Sequence, residues 1–539
     1  MQHEVLIRGG IIVDGAGNPW YRGDVAVAGG KISEIKRSLK PVDGRVIDAE
    51  DLVVAPGFID AHSHSDSVTL YYREMENNVM QGVTTVVAGQ CGSSPAPVNP
   101  DMRDLLQKRL ETHLPPEVDL KITWTTFDDY LKEEEKDGLG ANVAHLVGHG
   151  AIRTAAMGFE ARAPTPREIE VMKDLTAEAM EAGAFGLSTG LIYPPGIFAE
   201  TDEIVELAKV AASYGGVYDT HIRGEGRTLM KAMEEAISVG RTAGLPVQIS
   251  HHKAASKVVW GKSVDTLAMI ERARSEGVDV TVDQYPYRAG ATSLATLLPP
   301  WAHEGGIERL LERLHDGELR QKMREDIEKG IPGWENFAGE LGWESIYISR
   351  VKSDENKPLE GMNLAEITKL RGDPDPITSL FEVLSEEEGA AGMILFSMNE
   401  DDIKRIMRHP VHMVGTDSGS MSPTGYMSRG KPHPRGYGSY PKILGRYVRE
   451  MGVLRLEDAV RKMTSMPAQR FGLLDRGLLR PGMCADIVVF NPDTVMDRAT
   501  YQDPHQFPEG IEYVLVNGKV AVDGGKYSPV LAGRTLRKK

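Results

Sequence analysis

The feature that most constrains the fold is a long alternation of short apolar strands and amphipathic helices through the middle of the chain. Helices are predicted over residues 202–213, 229–243 and 264–276, each after an apolar run of strand length. Strands that alternate with helices predict βαβ units and a parallel sheet. Eight strand candidates end at polar or reactive residues, near His64, Cys91, His149, Ser188, His221, His251, Asp283 and Asp417.

Eight such units predict an α/β fold, and within that class a (β/α)8 TIM-like barrel. The active site of such a barrel lies at the carboxyl ends of its strands. In this chain, reactive residues recur at the carboxyl ends of the predicted strands. The hydrophobic periodicity of the sequence alone would not predict reactive residues at these positions. The sequence therefore indicates a functional site at one edge of a parallel sheet.

The two ends of the chain have a different character from the middle. The first 55 residues contain short strands separated by glycine turns, and near the other end Asn517-Gly518 separates two apolar runs. An Asn-Gly pair in that setting is a strong hairpin signal. We predict that residues 1–55 and 479–539 form one small β-sandwich domain, and that residues 56–478 form the barrel domain.

Two stretches interrupt the alternation. Residues 300–395 are interpreted as an insertion before the last barrel strand, forming a lid or small subdomain, with extra strands near 345–351 and 392–397. Residues 433–440 are rich in glycine and predict either a mobile loop over the site or an ordinary surface loop.

Composition excludes several functions. The net charge of −16 argues against a nucleic-acid partner, because phosphate binding needs a basic surface. No run of about 18 apolar residues is present, so neither a membrane-spanning helix nor a membrane partner is expected. The N-terminus lacks the pattern of a signal peptide. Two cysteines exclude a disulfide framework and predict a reducing, cytoplasmic setting; the oligomeric state stays open.

His62 and His64 form the clearest metal-ligand pattern in the sequence. They follow an apolar strand, and side chains at i and i+2 of a strand point to the same face. Further candidates lie at later strand ends: Cys91, His221 and His251. Zinc accepts both thiolate and imidazole ligands, and a catalytic zinc needs three protein ligands with one open position. The five residues together predict a zinc site.

Each member has a structural alternative. Cys91 alone is better explained as an inert core residue, because cysteine is among the most buried residue types. His221 alone fits a capping role equally well, and His252 is expected on the opposite face, in a structural role. Packing alone does not readily explain why all five candidates lie at strand ends.

Acidic and basic residues complete the candidate site. Asp417 ends the eighth strand, where a carboxylate can take a proton from water and return it to a leaving amine; the alternative is a helix N-cap. Arg223, Lys253 and Tyr285 lie just beyond other strand ends, and the two cations suit a substrate carboxylate. Solvated rim charges explain each cation alone equally well, and Tyr287 is consistent with simple packing.

The chain resembles the amidohydrolase superfamily and, within it, the D-aminoacylase (N-acyl-D-amino-acid deacylase) family over nearly its whole length. The motif from Pro56 to Asp66 marks only the superfamily. The segments 89–92 and 186–196 are much more specific. Other matching segments are 220–225, 250–253, 283–287 and 415–419.

The resemblance implies a role for each matching position. Cys91, His221 and His251 match the ligands of one tight zinc, and His62 and His64 match a pair near a second, weaker metal site. Asp417 matches the catalytic carboxylate. Residues matching positions near the substrate are Lys253, Tyr285, Arg223 and Tyr193.

The function implied is zinc-dependent hydrolysis of N-acyl-D-amino acids to a carboxylate and a free D-amino acid. Hydantoinases and dihydroorotases usually carry a carboxylated lysine on strand four, whereas here strand four reads Phe185-Gly186-Leu187-Ser188-Thr189. This departure counts against cyclic-amide hydrolysis. A related amidohydrolase acting on cyclic amides or unusual dipeptides, and a barrel without catalysis, are the alternatives.

Overall fold

Strands and helices alternate through the middle of the chain in the computed structural model, which describes residues 4–40, 43–111 and 114–539. The first three residues, part of the segment examined for a signal peptide, lie outside this range. The strands are β1 (Val5–Ile12), β2 (Tyr21–Ala28), β3 (Lys31–Lys36), β4 (Arg45–Asp48), β5 (Val53–Pro56), β6 (Phe58–Asp60), β7 (Val83–Ala88), β8 (Asn142–His145), β9 (Val147–Gly148), β10 (Gly186–Gly190), β11 (Val217–His221), β12 (Val247–Ile249), β13 (Val280–Gln284), β14 (Ala289–Ser293), β15 (Ile346–Arg350), β16 (Gly392–Phe396), β17 (His412–Val414), β18 (Ile487–Phe490), β19 (Ile511–Val516), β20 (Lys519–Asp523), β21 (Lys526–Tyr527) and β22 (Thr535–Leu536).

The helices are α1 (Glu76–Met80), α2 (Arg103–Glu111), α3 (Phe127–Glu135), α4 (His149–Met157), α5 (Pro166–Ala182), α6 (Thr201–Ser213), α7 (Leu229–Ala243), α8 (Ser263–Ser275), α9 (Ile307–His315), α10 (Gly317–Lys329), α11 (Phe337–Leu341), α12 (Leu364–Arg371), α13 (Pro376–Glu386), α14 (Glu400–Arg408), α15 (Arg435–Lys442), α16 (Leu456–Met463) and α17 (Ser465–Phe471). The three helices predicted between 202 and 276 agree with α6, α7 and α8 to within one residue at each end. No helix in the described ranges is long and apolar enough to cross a membrane.

Two parallel sheets form the centre of the molecule. One has the order β22-β8-β7-β6 and the other β17-β13-β12-β11-β10-β9. Every residue of β7, β10, β11 and β13 is buried, as expected for strands of a parallel sheet covered on both faces. All the predicted strand ends therefore belong to parallel strands.

Backbone hydrogen bonds connect the two sheets at both edges. The Ala61 N–H donates to the Val414 carbonyl at 3.2 Å, and the His64 N–H donates to the Ser418 carbonyl at 3.0 Å. On the other side the Phe185 N–H donates to the His145 carbonyl at 2.8 Å. These bonds place the end of β6 beside the end of β17.

The two chain ends join in one nine-stranded sheet, in which β18 runs antiparallel to β5. Strands from both chain ends thus share a single continuous sheet, and the β-sandwich domain stays a prediction. Asn517 and Gly518 connect β19 to β20 with φ angles of 47° and 82°, confirming the hairpin. Not every glycine pair in the first 55 residues ends a strand as predicted: Gly9-Gly10 lies within β1, which continues through it with a register shift between Ile7 and Gly10.

The inserted region contains an antiparallel sheet with the order β14-β16-β15, together with α9 to α13. The extra strands predicted near 345–351 and 392–397 are β15 and β16. The third strand of this sheet, β14, begins at Ala289, before the boundary at residue 300 that was predicted for the insertion. It pairs with β16, which in turn pairs with β15.

The glycine-rich segment 433–440 is not a loop. Its residues from Arg435 onward form α15, which continues as a π-helix over Ile443–Glu450, and residues 435–441 are buried. Neither the mobile loop nor the surface loop predicted here is correct. Buried packing stabilises the helix although glycine disfavours helix formation.

Candidate metal centre and active-site cavity

Cys91, His221 and His251 meet where β7, β11 and β12 end. Cys91 Sγ lies 3.8 Å from His221 Nδ1 and 3.5 Å from His251 Nε2. With usual bond lengths and a tetrahedral angle, a sulfur and a nitrogen on one zinc ion are separated by about 3.6 Å. The donor atoms therefore have both the chemistry and the spacing of a zinc site.

Burial shifts the pKa values of these three side chains. Burial lowers the pKa of His221 and of His251 well below the ordinary value, so both imidazoles are neutral and have a lone pair to donate. Burial also raises the pKa of the Cys91 thiol, with the negative charge of Asp417 adding to the effect. A bound metal ion removes a thiol proton outright, so a thiolate here depends on the metal.

The backbone is strained at three of the site residues. Cys91, His251 and Asp417 have φ angles of 53°, 36° and 51°, in the left-handed region that non-glycine residues seldom adopt. Such conformations cost about 1–3 kcal/mol each and persist where the surrounding structure fixes them, often at functional sites. Each of the three lies two or three residues beyond the end of a parallel strand, at the edge that these strands share.

A second group lies beside the first. Asp417 Oδ1 is 3.1 Å from His64 Nε2 and 3.5 Å from His62 Nε2, and His62 Nε2 is 3.5 Å from Cys91 Sγ. The other carboxylate oxygen of Asp417 pairs with Arg435 Nη1 at 2.7 Å. Donor atoms of His62, His64 and Cys91, and separately of His62, His251 and Asp417, all lie within 4.8 Å of one another.

Two carboxylates support the histidines from outside. Glu225 Oε1 is 3.1 Å from His251 Nδ1 and also accepts from Lys253 Nζ at 2.6 Å. Lys253 Nζ itself lies 2.7 Å from His251 Nδ1, so both Glu225 and the Lys253 ammonium adjoin that nitrogen, while Nε2 faces Cys91. Glu225 Oε2 approaches His221 Nε2 at 3.9 Å. Asp283 Oδ1 accepts from the His251 backbone N–H at 2.7 Å and lies 3.4 Å from His62 Nδ1.

The charges of the site follow from these contacts. Burial alone raises the pKa of Asp417, but Arg435, His251 and the hydrogen bond from His64 hold it well below its usual range. Burial likewise disfavours the cation of Lys253, yet Glu225 keeps the pKa of Lys253 raised. The site therefore holds the ionised carboxylate of Asp417 and two cations, Lys253 and Arg435.

The remaining predicted residues divide into two sets. Tyr193 and Tyr285 lie at the site: the Tyr193 ring meets His221 edge-on with centroids 5.0 Å apart, and the Arg435 guanidinium lies 4.6 Å from the Tyr285 ring centroid. Arg223 lies elsewhere, because its guanidinium is bound to Glu235 at 2.8 Å.

Tyr287 and His252 have the packing roles that the sequence allowed. Tyr287 is buried, and Lys442 lies over its ring at 3.9 Å. His252 is buried, its Nε2 is 2.9 Å from Thr266 Oγ1, and burial lowers its pKa to about 4.

Sequence reasoning missed two residues. Arg435 lies in the segment interpreted as a loop, and Glu225 lies within the segment 220–225 without an assigned role. The signal for Glu225 was its place just beyond the strand that ends in His221. No signal was available for Arg435, because its approach to Asp417 depends on the packing of α15.

A cavity of about 720 Å³ opens onto this edge of the sheets. Its lining includes His64, Cys91, Tyr193, Asp417 and Arg435. The metal-ligand candidates are thus accessible from a space large enough for a small-molecule substrate.

Parallel strands that carry a cysteine, histidines and an aspartate at the edge of such a cavity define a metal-dependent hydrolase. The model of the Amidohydrolase family matches residues 45–522. The chain belongs to this family.

Similar proteins cover the same length. The chain is 36% identical to a D-aminoacylase of Alcaligenes xylosoxydans xylosoxydans, over 99% of this chain and 97% of that protein. It is 39% identical to an N-acyl-D-glutamate deacylase of the same organism, over 96% and 93%. A Bordetella bronchiseptica N-acyl-D-glutamate deacylase, solved with zinc and a phosphonate mimic of the tetrahedral intermediate, matches with a TM-score of 0.81, 36% identity and full coverage of both chains.

Proposed function

We propose that the protein is a zinc-dependent hydrolase of the amide bond in N-acyl-D-amino acids, releasing a carboxylate and a free D-amino acid. One observation carries the proposal: Cys91, His221 and His251 have zinc spacing, and an ionised Asp417 adjoins them. The names of the similar proteins support the substrate class.

Cys91, His221 and His251 would hold one tight zinc, and His62, His64 and Asp417 would adjoin a second, weaker site. A D-aminoacylase structure with a binuclear metal centre matches the chain at 35% identity, which supports two sites of unequal strength. Zinc bound there would polarise the acyl carbonyl and lower the pKa of water to about 7.

Asp417 acts as general base and then as general acid. Because its carboxylate is ionised, it accepts a proton as the water oxygen bonds to the acyl carbon. The carbon–nitrogen bond then breaks, and the same proton passes to the leaving amine.

Arg435 and Lys253 bind the substrate carboxylate, with Tyr285 between them. Lys253 Nζ lies 5.8 Å and the Arg435 guanidinium 4.6 Å from the Tyr285 ring centroid, so both cations adjoin one ring, and Arg435 also lines the cavity. We assign no substrate contact to Arg223, because its guanidinium is bound to Glu235 and two backbone carbonyls and its side chain is not part of the cavity lining.

The architecture that we propose is a closed (β/α)8 barrel over residues 56–478, with a small β-domain from residues 1–55 and 479–539. The hydrogen bonds between β6 and β17 and between β8 and Phe185 support closure of the two parallel sheets. A cytoplasmic location stays a prediction, supported by two free cysteines.

The proposal is tested by a substrate panel of N-acetyl-D-amino acids, N-acetyl-L-amino acids and hydantoins, with the metal content measured on the same sample. We expect bound zinc and hydrolysis of the D-series alone. Hydrolysis of L-amides or hydantoins in preference to the D-series would contradict the assignment. A zinc-free, inactive protein would support the non-catalytic alternative.

A further inference from the structure

The active-site cavity extends well beyond the metal ligands. Its lining includes Cys91, Ser93, Ser94 and Pro95 and a set of apolar side chains. We call this set the leucine wall; it consists of Leu105, Leu106, Leu110, Leu114, Leu120 and Ile122. At about 720 Å³ the cavity exceeds what an acetylated amino acid needs, so part of it is available to a longer group.

Hydrogen bonds and an ion pair hold the segments of the leucine wall in place. Gln107 on α2 donates to the Leu120 carbonyl at 2.9 Å and accepts from the Ile122 N–H at 2.9 Å, which joins the helix to the following strand-like segment. Lys108 on the same helix pairs with Glu308 of the inserted region at 2.7 Å. The polar side chains of α2 thus fix the wall, while Leu105, Leu106 and Leu110 stay only partly buried.

The positions of the charged groups tell which half of the substrate meets this wall. Arg435, which binds the substrate carboxylate, donates to the Ala291 carbonyl at 3.3 Å and therefore lies beside β14. The amino-acid half carries that carboxylate and faces β14. The leucine wall comes from a separate segment of the same cavity, residues 105–122, and its six side chains offer no cation to a carboxylate, so we assign the acyl half of the substrate to it.

We propose that the leucine wall is an acyl-chain subsite, so that the protein prefers N-acyl-D-amino acids whose acyl group is a medium or long apolar chain. This inference rests on the proposed function and specifies the acyl half of its substrate. Partly exposed leucines in a cavity lose contact with water when an alkyl chain covers them. Each buried methylene strengthens binding by up to about fourfold.

One charged residue bears on the choice of occupant. Arg350 lines this cavity and also a neighbouring one of about 350 Å³, where Leu114 and Arg429 are found. A cation near Leu114 fits the terminal carboxylate of a dicarboxylic acyl group. We favour the plain alkyl chain, because all six side chains of the leucine wall are apolar. An alkyl and a dicarboxylic acyl group of equal chain length distinguish the two possibilities.

The test compares acyl groups on one D-amino acid. The N-acetyl, N-butanoyl, N-pentanoyl, N-octanoyl and N-glutaryl derivatives are assayed with the zinc-loaded full-length protein. We expect kcat/KM to rise by at least about thirtyfold from acetyl to octanoyl, as apolar burial predicts. Glutaryl, with a charged end, is expected to be slower than pentanoyl. Equal rates for acetyl and octanoyl, or faster glutaryl hydrolysis, would overturn the inference.

Variants localise the effect. Leu105→Gln combined with Leu110→Gln should lower the ratio of octanoyl to acetyl kcat/KM at least tenfold. The matched control is Leu370→Gln on α12, whose side chain is 62% exposed and lies away from the cavity; it should keep the parental ratio. An unchanged ratio in the double variant would place the chain elsewhere and refute the subsite.

The proposed function and the acyl subsite can fail separately. If no acyl derivative of any D-amino acid is hydrolysed, the proposed function fails. If acetyl derivatives are hydrolysed but longer chains bring no gain, only the subsite fails. Product inhibition provides a second measurement. Octanoate should inhibit the parental protein more strongly than acetate does, and the two should inhibit the double variant to a similar extent.

Discussion

Two groups of side chains lie at the same edge of the sheets, yet they are supported differently. Cys91, His221 and His251 are 9%, 4% and 2% exposed, and their donor atoms face one another. In the second group the His64 side chain is 34% exposed, and Asp417 already pairs with Arg435. A metal ion at the second group must compete with a guanidinium for its carboxylate. We expect the first group to bind zinc more tightly, because none of its side chains is as exposed as His64 and none pairs with a guanidinium.

Removing one ligand from each group tests this difference most strongly. Cys91→Ala should lower zinc affinity by more than about 100-fold, which exceeds the loss typical of removing a residue that only supports a ligand. His62→Ala should keep most of the zinc that the parental protein binds tightly. Zinc per protein chain, measured by atomic emission after dialysis against a weak chelator, checks the order. If His62→Ala loses more zinc than Cys91→Ala, the ranking of the two groups is reversed.

Asp417→Asn separates chemistry from metal binding. Asparagine keeps the shape but cannot accept the proton, so kcat should fall by about 10²–10⁴-fold. Zinc content and the midpoint of thermal unfolding should stay near the parental values. Near-normal turnover in this variant would remove Asp417 from the mechanism.

A pair of arginine variants distinguishes the cation at the cavity from the one bound elsewhere. Arg435→Gln should raise KM by about 10–100-fold, since a charged hydrogen bond contributes about 1.5–3 kcal/mol. Arg223→Gln should leave KM close to normal and lower the unfolding midpoint, because it breaks the contact with Glu235. Steady-state kinetics and calorimetry give both readings. A larger KM effect from Arg223→Gln would restore it to the site.

The supporting carboxylates give the smallest expected effect. Glu225→Gln should weaken zinc binding by about 10–100-fold, because it removes the negative charge that holds Lys253 beside His251 Nδ1. Glu235→Gln, on the neighbouring helix α7, is the matched control and should not change zinc affinity. Competition with a chromophoric chelator measures both. Equal affinities in the two variants would show that Glu225 does not orient the ligand.

Sequence reasoning reached the ligands more readily than their surroundings. The ends of β7, β11 and β12 were located because each follows an apolar run that only a buried strand explains. Arg435 was missed because glycines within 433–440 indicate a loop when they are considered alone. Tertiary packing overrides that local preference, and the helix it forms delivers the guanidinium to Asp417.

The sequence by itself determined that cysteine, histidines and an aspartate would meet, because the carboxyl ends of parallel strands share one edge. It also determined the family, through segments that surround those ends. Only the tertiary structure decided that Arg435 rather than Arg223 faces the cavity and that α2 supplies an apolar wall. Both depend on contacts between segments far apart in the chain, and no local pattern of residues encodes them.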